Sequence, residues 1–507
     1  MLNQPEVILR YSQGDAGAKD FRVGKEDILI GRASECDIHL EDQQVSRFHA
    51  SLRIAADGIW LLDMDSKNGT LIDDKPIPPN RRIPLQAEQS FDIGSYTFTA
   101  IVHSAPAADQ TIVQPGVPRG YMYDLDALRK VEFPQMMDRT SLDNAAAAPP
   151  PMRTIKKMKQ MTEQKIGTTE WHTEKYIFDL NAAFLSSVTK LLNAKSPDEI
   201  VVVDGCSTGL NLIAQSLVTK PGDNIVFCDL EHPANAYCWM SLQRDGVVIN
   251  QVPSVNGGLT PDALRQVVDD RTRVVAASAF QFFSGHRTDL AAIGKFCRER
   301  NIIFVVDAIQ AVGHMPIDVQ KMKIDVLVTG GHKSIMAGPC VGFMYVRDEV
   351  CSTLQPRVIG ALSTADWSYY LKYDITPHAG AWRFLIGTPN MVGMAAVVES
   401  ITLINELTRE AIDRHTTNLA ARTLELARAR GYELTTTPGE HGSIATFKSK
   451  LDNEKTSAYL EKLEEQEKII VGKHLDRQGQ PHLRLSFHCY NTEEDVVRTM
   501  DALDKMK

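Results

Sequence analysis

The sequence predicts two kinds of structure in one chain: a small all-β sandwich, followed by an α/β unit with a mainly parallel sheet. In the first 103 residues, short alternating runs such as VILRYS, ASLRIA and YTFTAIV are separated by turns and show no helical period. From residue 134 onward, nearly continuous apolar runs such as EIVVVDG and NIIFVVDA alternate with helical patterns. Such runs are typical of strands that are buried on both faces of a parallel sheet.

Composition predicts where the domains begin and end. The stretch HSAPAADQTIVQPGVPRG follows the last β-run and has no apolar period, so we expect a flexible linker over 104–133. We assign the sandwich to 1–103 and the α/β domain, with an N-terminal segment, to 134–395. Long helical patterns and the candidate strands SIATFKS, KIIVGKH and HLRLSFH then predict a smaller α+β domain over 396–507.

Charge and composition limit the classes of partner, the cellular location and the state of the cysteines. The 55 basic and 64 acidic side chains give a net charge of −9, which argues against nucleic acid or an anionic membrane as a general partner. The N-terminus lacks the pattern of a secretory signal, and no apolar run is long enough to span a bilayer, so we expect a cytoplasmic protein. Eight cysteines without a CxxC pair or metal-ligand spacing predict reduced core thiols and no metal site.

Three clusters in the predicted sandwich carry groups that bind phosphate. They are Gly31-Arg32, Ser46-Arg47-Phe48-His49 and Ser66-Lys67-Asn68-Gly69-Thr70. A phosphate dianion favours guanidinium, hydroxyl and amide donors that converge from rigid loops, and Arg32, Ser46, Arg47 and Lys67 offer such donors.

At this spacing the three clusters resemble a forkhead-associated (FHA) domain, which reads phosphothreonine peptides. The resemblance covers about the first 100 residues, and it implies that Asn68 holds the peptide backbone while His49 braces the loop. A degenerate module that acts only as a spacer is the alternative.

Thr111 in the predicted linker gives a possible ligand within the chain. It lies in DQTIVQP, two residues after an acidic side chain. We hypothesise that phosphorylated Thr111 docks on the module in cis or in trans, with an ordinary linker threonine as the alternative.

Polar residues follow the predicted parallel strands at the points where each strand ends. The turn Asp204 to Gly209 lies between EIVVV and an amphipathic helix, where backbone amides and hydroxyls form an anion site. His232 follows the next strand, and its imidazole can lie flat against an aromatic cofactor ring. A hydrogen-bonded loop histidine is the alternative.

Two further strand ends carry a carboxylate and a lysine. Asp307 and Gln310 follow the apolar run IIFVV, at an edge where α/β sheets place ligands. A carboxylate there can hold a cofactor's pyridinium nitrogen in its protonated form. Lys333 lies in GGHKS after IDVLV, and a lysine that is partly desolvated in such a pocket becomes a nucleophile for an aldehyde.

Taken in order, these motifs resemble the class V aminotransferase superfamily of pyridoxal 5′-phosphate (PLP) enzymes. The superfamily has PLP fold type I and includes cysteine desulfurases, isopenicillin-N-epimerase-like proteins and kynureninase. The resemblance runs from LDNAAAAPP at 142–150 to the C-terminus. It implies that PLP is the cofactor and that Lys333 is the Schiff-base lysine and proton shuttle. Asp307 would contact the pyridine nitrogen, Gln310 the phenolic oxygen and His232 the ring face.

The resemblance also implies a phosphate site and a carboxylate site. The phosphate would be held by the Cys206 amide, Ser207 and His332, together with Thr388 from the other subunit of a homodimer. Arg484 in HLRLSFHCYNT would form the bidentate fork for the α-carboxylate of an amino-acid substrate.

Departures from the family pattern affect the predicted reaction. Gly330, after Thr329, stands where many desulfurases have a serine, which puts phosphate contacts from that strand in doubt. The segment VGKHLDRQGQPHLR lacks the mobile nucleophilic cysteine of desulfurases, and Cys489 beyond it is predicted to be a packed thiol.

We therefore expect a PLP-dependent enzyme that acts on an amino acid and is targeted or regulated by the phosphothreonine-reading module. A C–S lyase ranks first, followed by an epimerase or racemase and then by an aminotransferase. The alternative from another class is a phosphopeptide-dependent scaffold whose PLP fold is catalytically idle.

Overall fold

The computed structural model describes most of the chain. The residues outside the description are 1–5, 15–17, 23–26, 34–35, 56–57, 65, 74, 80–81, 86–88, 104–122, 169–173, 367–370 and 506–507. The chain divides into two compact units, Met1–Val113 and Gln114–Lys507. Thr111 and most of the predicted linker lie outside the described residues.

The first unit consists of two β-sheets around one apolar core. The first sheet has the order β2-β1-β11-β10-β7-β8 and the second the order β4-β3-β5-β6-β9. The described pairings in both sheets are antiparallel except for β3 with β4. Alternation along each strand places side chains such as Leu52, Leu61 and Phe98 in the core with no exposed surface. The strands are β1 (Glu6–Gln13), β2 (Lys19–Arg22), β3 (Asp27–Gly31), β4 (Ile38–His39), β5 (Ala50–Ala55), β6 (Gly58–Asp63), β7 (Thr70–Ile72), β8 (Lys75–Pro76), β9 (Arg82–Leu85), β10 (Ser90–Ile93) and β11 (Tyr96–His103).

The second unit contains a seven-stranded sheet of order β13-β19-β18-β17-β16-β14-β15. Its strands are β13 (Ile200–Val203), β14 (Asn224–Cys228), β15 (Val248–Val252), β16 (Thr272–Ser278), β17 (Ile303–Asp307), β18 (Val326–Gly330) and β19 (Gly342–Val346). All described pairs are parallel except the two that β19 makes with β13 and β18. The prediction of a buried, mainly parallel sheet is confirmed, because β14, β17 and β18 are apolar and buried over almost their whole length.

Helices cover this sheet and connect its strands. They are α1 (Leu125–Glu132), α2 (Met152–Met161), α3 (Glu174–Leu192), α4 (Cys206–Ala214), α5 (Ala234–Met240), α6 (Pro261–Val267), α7 (Leu290–Arg298) and α8 (Asp348–Cys351). In the part of the chain that the structure describes, no single helix is long and apolar enough to cross a bilayer.

A second, four-stranded sheet has the order β12-β21-β22-β20. Its strands are β12 (Thr140–Leu142), β20 (Ile444–Lys448), β21 (Ile469–Leu475) and β22 (Pro481–Ser486). It packs with α10 (Arg409–Ala429), α11 (Asn453–Glu467) and α12 (Glu493–Asp504), whereas α9 (Met391–Leu407) packs mainly against α2 and α3. Helices α9 and α10 meet at an 80° bend, and only the two together have the length and apolar composition of a membrane span.

Two elements lie across the predicted boundaries. Helix α1 forms at Leu125–Glu132 within the stretch predicted as linker, where Asp124 caps it and Arg129 forms an ion pair with Asp495 3.1 Å away. The segment assigned to the start of the α/β domain contributes β12 to the C-terminal sheet, in parallel register with β21. Both deviations arise from pairings with residues more than 300 positions away, which local composition does not encode.

The topology brings the polar strand ends together. Strands β13, β14, β16, β17 and β18 run in the same direction, so their carboxyl ends lie at one edge of the sheet. The chain turns there into Cys206, Glu231 and Lys333, and Asp307 is the last residue of β17. This edge of the sheet is where α/β folds place ligands.

Candidate functional site

A cavity of about 290 Å³ opens at that edge of the sheet. Most of the residues predicted to bind a cofactor line it. The lining residues are Asp204, Gly205, Cys206, Ser207, Thr208, His232, Ala234, Ser278, Phe280, Phe282, Asp307, Ile309, Gln310, His332 and Lys333. The structure therefore collects residues from five strand ends into one small-molecule site.

One end of the cavity is an anion cradle at the N-terminus of α4. Gly205 precedes the helix and provides no side-chain cap, so no side chain occupies the first amides of α4. Ser207 and His332 lie beside this end of the cavity. Gly209 allows α4 to pack directly on β18, since a Cβ atom there would overlap the Val328 side chain.

Asp307 lies on the floor of the cavity, with 4% of its surface exposed. Its Oδ1 accepts hydrogen bonds from the Cys206 thiol (3.1 Å) and from the Ile309 amide (3.0 Å). Both bonds go to one oxygen, so Oδ2 has no hydrogen bond within the described part of the chain. The sequence predicted the Cys206 amide as a phosphate ligand, and the structure adds a thiol that orients the carboxylate.

Lys333 lines the same cavity as Asp307. Burial is the main cause that lowers the pKa of its ammonium, and the positive charge of Arg484 acts in the same direction. The carboxylate of Asp307 opposes this shift but does not reverse it. A lowered pKa increases the neutral fraction of the amine, which is the form that attacks an aldehyde.

His232 also lines the cavity. Its Nδ1 accepts a hydrogen bond from the Ala234 amide (3.1 Å), so the neutral ring carries its proton on Nε2. Burial, followed by the charge of Lys333, lowers its pKa. The Phe282 ring meets the imidazole edge to face, with the ring centroids 5.0 Å apart.

A buried carboxyl group behind His232 was missed by the sequence reasoning. Glu231 accepts hydrogen bonds from the Ser278 amide (2.9 Å), the Gln281 amide group (2.7 Å) and Asn235 (3.0 Å), and from the Ser278 hydroxyl. Burial raises its pKa to about 7 in spite of these donors. Glu231 thereby fixes the end of β16 against the segment that carries His232. The glutamate of DLEHPAN, an acidic residue next to His232, was the sequence signal for it.

Arg484 comes from the small sheet, where β22 is an interior strand. Its Nη2 donates to Asp143 Oδ1 (2.9 Å) and its Nη1 to the Phe282 carbonyl (3.0 Å). The Arg484 side chain is 3% exposed, and its Nε is buried without a hydrogen-bond partner among the described residues. The sequence predicted the guanidinium but not Asp143, which holds it in place.

The segment that precedes Arg484 forms a tight hairpin. Asp476 Oδ1 accepts from the amides of Gln478 and Gln480, each at 2.9 Å, and Gly479 adopts φ +80°. Arg477 at its tip donates to the Asp229 carbonyl 2.8 Å away, just before the segment that bears His232. The turn is therefore short and fixed by hydrogen bonds at both ends.

Cys489 is fully buried, as predicted for a packed thiol, and burial raises its pKa. Gln310 lines the cavity and donates one amide hydrogen to the Ala145 carbonyl (2.9 Å). Thr388 is exposed and does not line the cavity of its own chain. Gly330 contributes no side chain, and a Cβ atom there would lie 3.0 Å from Ile309.

The predicted phosphopeptide residues also lie together in the first unit. The Ser46 hydroxyl accepts from the Lys67 amide (2.9 Å), and the Arg32 amide donates to the Ser46 carbonyl (2.9 Å). Asn68 donates to the Gln44 carbonyl (2.7 Å), and the side chains of Arg32, Arg47, Lys67 and Asn68 are exposed.

His49 connects the two loops of this module. Its Nδ1 accepts from the Ser46 amide (3.0 Å), and its Nε2 donates to the Gly69 carbonyl (3.1 Å). The ring has no exposed surface, and burial lowers its pKa. These contacts fit the architectural role predicted for His49.

Comparison with family models gives two matches. The model described as aminotransferase class-V matches residues 140–499. A model described as the cytoplasmic domain of an inner membrane component of T3SS matches residues 10–104.

Individual relatives cover the second unit. A probable cysteine desulfurase of Methanothermobacter thermautotrophicus is 25% identical over 393 residues, which are 74% of this chain and 96% of that protein. A cysteine desulfurase of Enterobacter sp. (strain 638) is 30% identical over 334 residues, 63% of this chain and 81% of that protein.

Solved structures have the same fold in this unit. The apo cysteine desulfurase of Thermococcus onnurineus NA1 aligns with a TM-score of 0.67 and 23% identity, over 75% of this chain and 97% of that one. The cystine C–S lyase C-DES in complex with cysteine persulfide aligns with a TM-score of 0.66 and 20% identity, over 74% and 99%.

Proposed function

The chain belongs to the class-V aminotransferase family, and on that premise we propose that it is a PLP-dependent C–S lyase that acts on a small amino acid. The family and its cysteine desulfurase relatives identify the chain as a PLP-dependent enzyme. The observation that carries the proposal is the single cavity shared by Lys333, Asp307 and His232.

The residues of the cavity fit PLP by their chemistry. Lys333 offers an amine with a lowered pKa for the aldehyde, and Asp307 offers a carboxylate oxygen without another hydrogen bond for the ring nitrogen. The uncapped start of α4, with Ser207 and His332 beside it, offers donors for the phosphate. His232 offers a neutral flat ring for stacking.

The roles of the side chains follow from this arrangement. Arg484 binds the substrate α-carboxylate, with Asp143 orienting the guanidinium from the side. Lys333 Nζ removes the substrate α-proton, and its lowered pKa increases the fraction of neutral amine that can act as the base. When bound, PLP supplies an electron sink for the carbanion that this proton transfer creates.

The tight hairpin favours a lyase over a persulfide-forming desulfurase. Desulfurases of the family use a cysteine on a mobile loop, whereas Asp476–Gln480 is a short turn held by hydrogen bonds and contains no cysteine. Sulfur would then leave with the product rather than on a protein thiol. An epimerase or an aminotransferase is the alternative outcome of the same α-proton removal.

An absorbance scan tests the cofactor chemistry. The enzyme with PLP should absorb at roughly 410–430 nm, and Lys333→Ala should abolish this band. Lys323→Ala, in the same domain but outside the cavity, should keep the band. A colourless wild type with added PLP would favour the idle scaffold and overturn the enzyme proposal.

A substrate screen tests the reaction. Amino acids, with cysteine and cystine first, should be assayed for pyruvate and sulfide, for α-proton exchange with solvent, and for keto acid. We expect pyruvate with sulfide or a persulfide from a sulfur-containing substrate. Proton exchange alone would identify an epimerase. Conversion of the amino acid to its own keto acid only when a second keto acid is added as amino-group acceptor would identify an aminotransferase.

We also propose a homodimer in which Thr388 of each subunit reaches the phosphate site of the other. Thr388 is exposed in its own chain, and Leu371, Tyr373 and Ile375 are 86%, 89% and 69% exposed. Such a group of exposed apolar side chains indicates an interface. Sedimentation should show a dimer that Tyr373→Asp dissociates and that Leu475→Asp, on β21, leaves intact.

For the first unit we propose phosphothreonine-peptide binding that recruits or regulates the enzyme. The support is that the backbone amides of Arg32 and Lys67 both bond to Ser46, which joins their segments, and that the side chains of Arg32, Arg47, Lys67 and Asn68 are exposed. A phosphothreonine peptide of the linker around Thr111 should bind the full chain, and Arg32→Ala should abolish binding without changing turnover. Lys75→Ala, at an exposed position on β8, is the control, and equal binding of the unphosphorylated peptide would refute the proposal.

A further inference from the structure

His474, on β21 of the small sheet, has no role in the function proposed above. In the antiparallel register of β21 and β22, Gly472 is opposite Arg484 and His474 is opposite His482. Directly opposite residues, and residues two positions apart, project from the same face of a sheet. The His474 side chain therefore projects from the face that carries the carboxylate-binding Arg484.

Phe282 connects His474 to the cavity. Its ring lies edge to face with His474, the centroids 5.5 Å apart, and with His232, 5.0 Å apart. Its backbone carbonyl accepts the hydrogen bond from Arg484 Nη1. One residue that lines the cavity thus contacts both histidines and the arginine.

The ring nitrogens of His474 make no hydrogen bond within the described part of the chain. The second histidine on this face, His482, is already engaged, because Thr435 lies 2.6 Å from its Nδ1 and Asp476 lies 3.3 Å from its Nε2. His474 is therefore the histidine on this face that is free to bind a ligand.

The surroundings of His474 keep the imidazole neutral. Burial is the main cause that lowers its pKa to about 4, and the positive charge of Arg484 is the next. A neutral imidazole has one nitrogen that accepts a hydrogen bond. That nitrogen of His474 can therefore accept a hydrogen bond from an O–H, N–H or S–H group of a bound molecule.

We propose that His474 reads the side chain of the amino-acid substrate, accepting a hydrogen bond from a thiol or hydroxyl group on its β-carbon while Arg484 binds its α-carboxylate. The inference rests on the proposed function, since it takes Arg484 as the carboxylate site. It names the substrate class as amino acids with a protic β-substituent, in preference to those with an aliphatic side chain of the same size. His474 is then a specificity-determining residue, and Lys333 remains the base.

Binding of L-serine and L-alanine to the full-length PLP enzyme tests the proposal, because the two differ by one hydroxyl group. Dissociation constants come from titrations followed by the change in cofactor absorbance. We expect the wild type to bind L-serine about tenfold more tightly, as one net hydrogen bond allows. L-Cysteine should show the same preference over L-2-aminobutyrate.

Two kinds of variant separate recognition from structure. His474→Phe keeps an aromatic ring beside Phe282 but has no acceptor, so the preference should fall to within about twofold while L-alanine binds as before. His474→Asn restores an acceptor and should recover part of the preference. His474→Leu is a second acceptor-free variant should the phenylalanine not fold, and Leu475→Ala, an exposed neighbour on β21, should leave the preference intact.

The results distinguish this inference from the proposal on which it rests. The inference is wrong if His474→Phe keeps the tenfold preference for L-serine over L-alanine, or if it weakens the binding of both amino acids equally. In either case the PLP band should remain, so the proposed function is unaffected. Loss of the band in the wild type would overturn the proposed function itself.

Discussion

Acid sensitivity follows from a buried histidine behind the lysine segment. His488 has no exposed surface; its Nδ1 accepts from the Cys489 amide (2.8 Å), and its Nε2 donates to the Ser334 carbonyl (3.1 Å). Its ring also meets His314 edge to face at 4.3 Å. Burial lowers the pKa of His488 to about 4 from the ordinary 6.5. Protonation of Nδ1 would break its hydrogen bond with the Cys489 amide and disturb the contact of His488 with Ser334, the residue after Lys333.

The lowered pKa of His488 makes the folded protein less stable in acid. Because the unfolded chain takes up this proton at a higher pH than the folded chain, the free energy of unfolding falls as the pH drops below 6.5. The loss ends near pH 4, where the folded protein is protonated as well. Between pH 7.5 and pH 5, His488 alone should cost about 2 kcal/mol.

Replacing His488 by glutamine tests this magnitude. The variant should be less stable than the wild type at pH 7.5 by about 1–3 kcal/mol, because buried hydrogen bonds are lost. The difference should shrink by about 2 kcal/mol at pH 5, since glutamine does not titrate. Urea unfolding of the full chain, followed by circular dichroism at both pH values, measures it. His378→Gln, at a partly exposed histidine, is the control, and a difference independent of pH would refute the reasoning.

Three further substitutions test the site. Gly313→Ala should cost about 1–3 kcal/mol of stability and weaken PLP binding, because its Cβ would overlap the Ser334 carbonyl; Gly387→Ala, with nothing within 4 Å, should do neither. Cys206→Ala removes the thiol donor to Asp307 and should speed PLP release in a dialysis assay, whereas Cys206→Ser should largely restore retention. Glu231→Gln should lower the urea midpoint by the equivalent of about 2–3 kcal/mol, because an amide hydrogen would face the Ser278 donors, with exposed Glu461→Gln as the control.

Local pattern predicted the large sheet and one wall of its site. The runs before Asp307 and Lys333 are apolar over a strand's length, and a parallel sheet places all such strand ends at one edge. The prediction that Asp307, His232 and Lys333 are neighbours therefore needed only strand direction. The structure places all three around one cavity.

The boundaries were less predictable. The helix at Leu125–Glu132 lies in a stretch that was assigned to the linker, and its stability comes in part from the ion pair between Arg129 and Asp495. Likewise β12 has only three residues, too few to carry a period, and it exists because β21 pairs with it. Short elements depend on their partners more than on their own sequence.

By itself, the sequence determined the apolar runs that form most strands of the large sheet, the polar residues at their ends and the absence of a cysteine from the segment before Arg484. Only the tertiary structure decided which groups meet across long separations. Asp143 lies 341 positions from the Arg484 that it orients, and the Cys206 thiol lies 101 positions from Asp307. Strand patterns arise from neighbours in the chain, whereas a hydrogen bond between distant side chains depends on how whole sheets and helices pack. His474 showed its place beside the site only when the register of β21 against β22 was known.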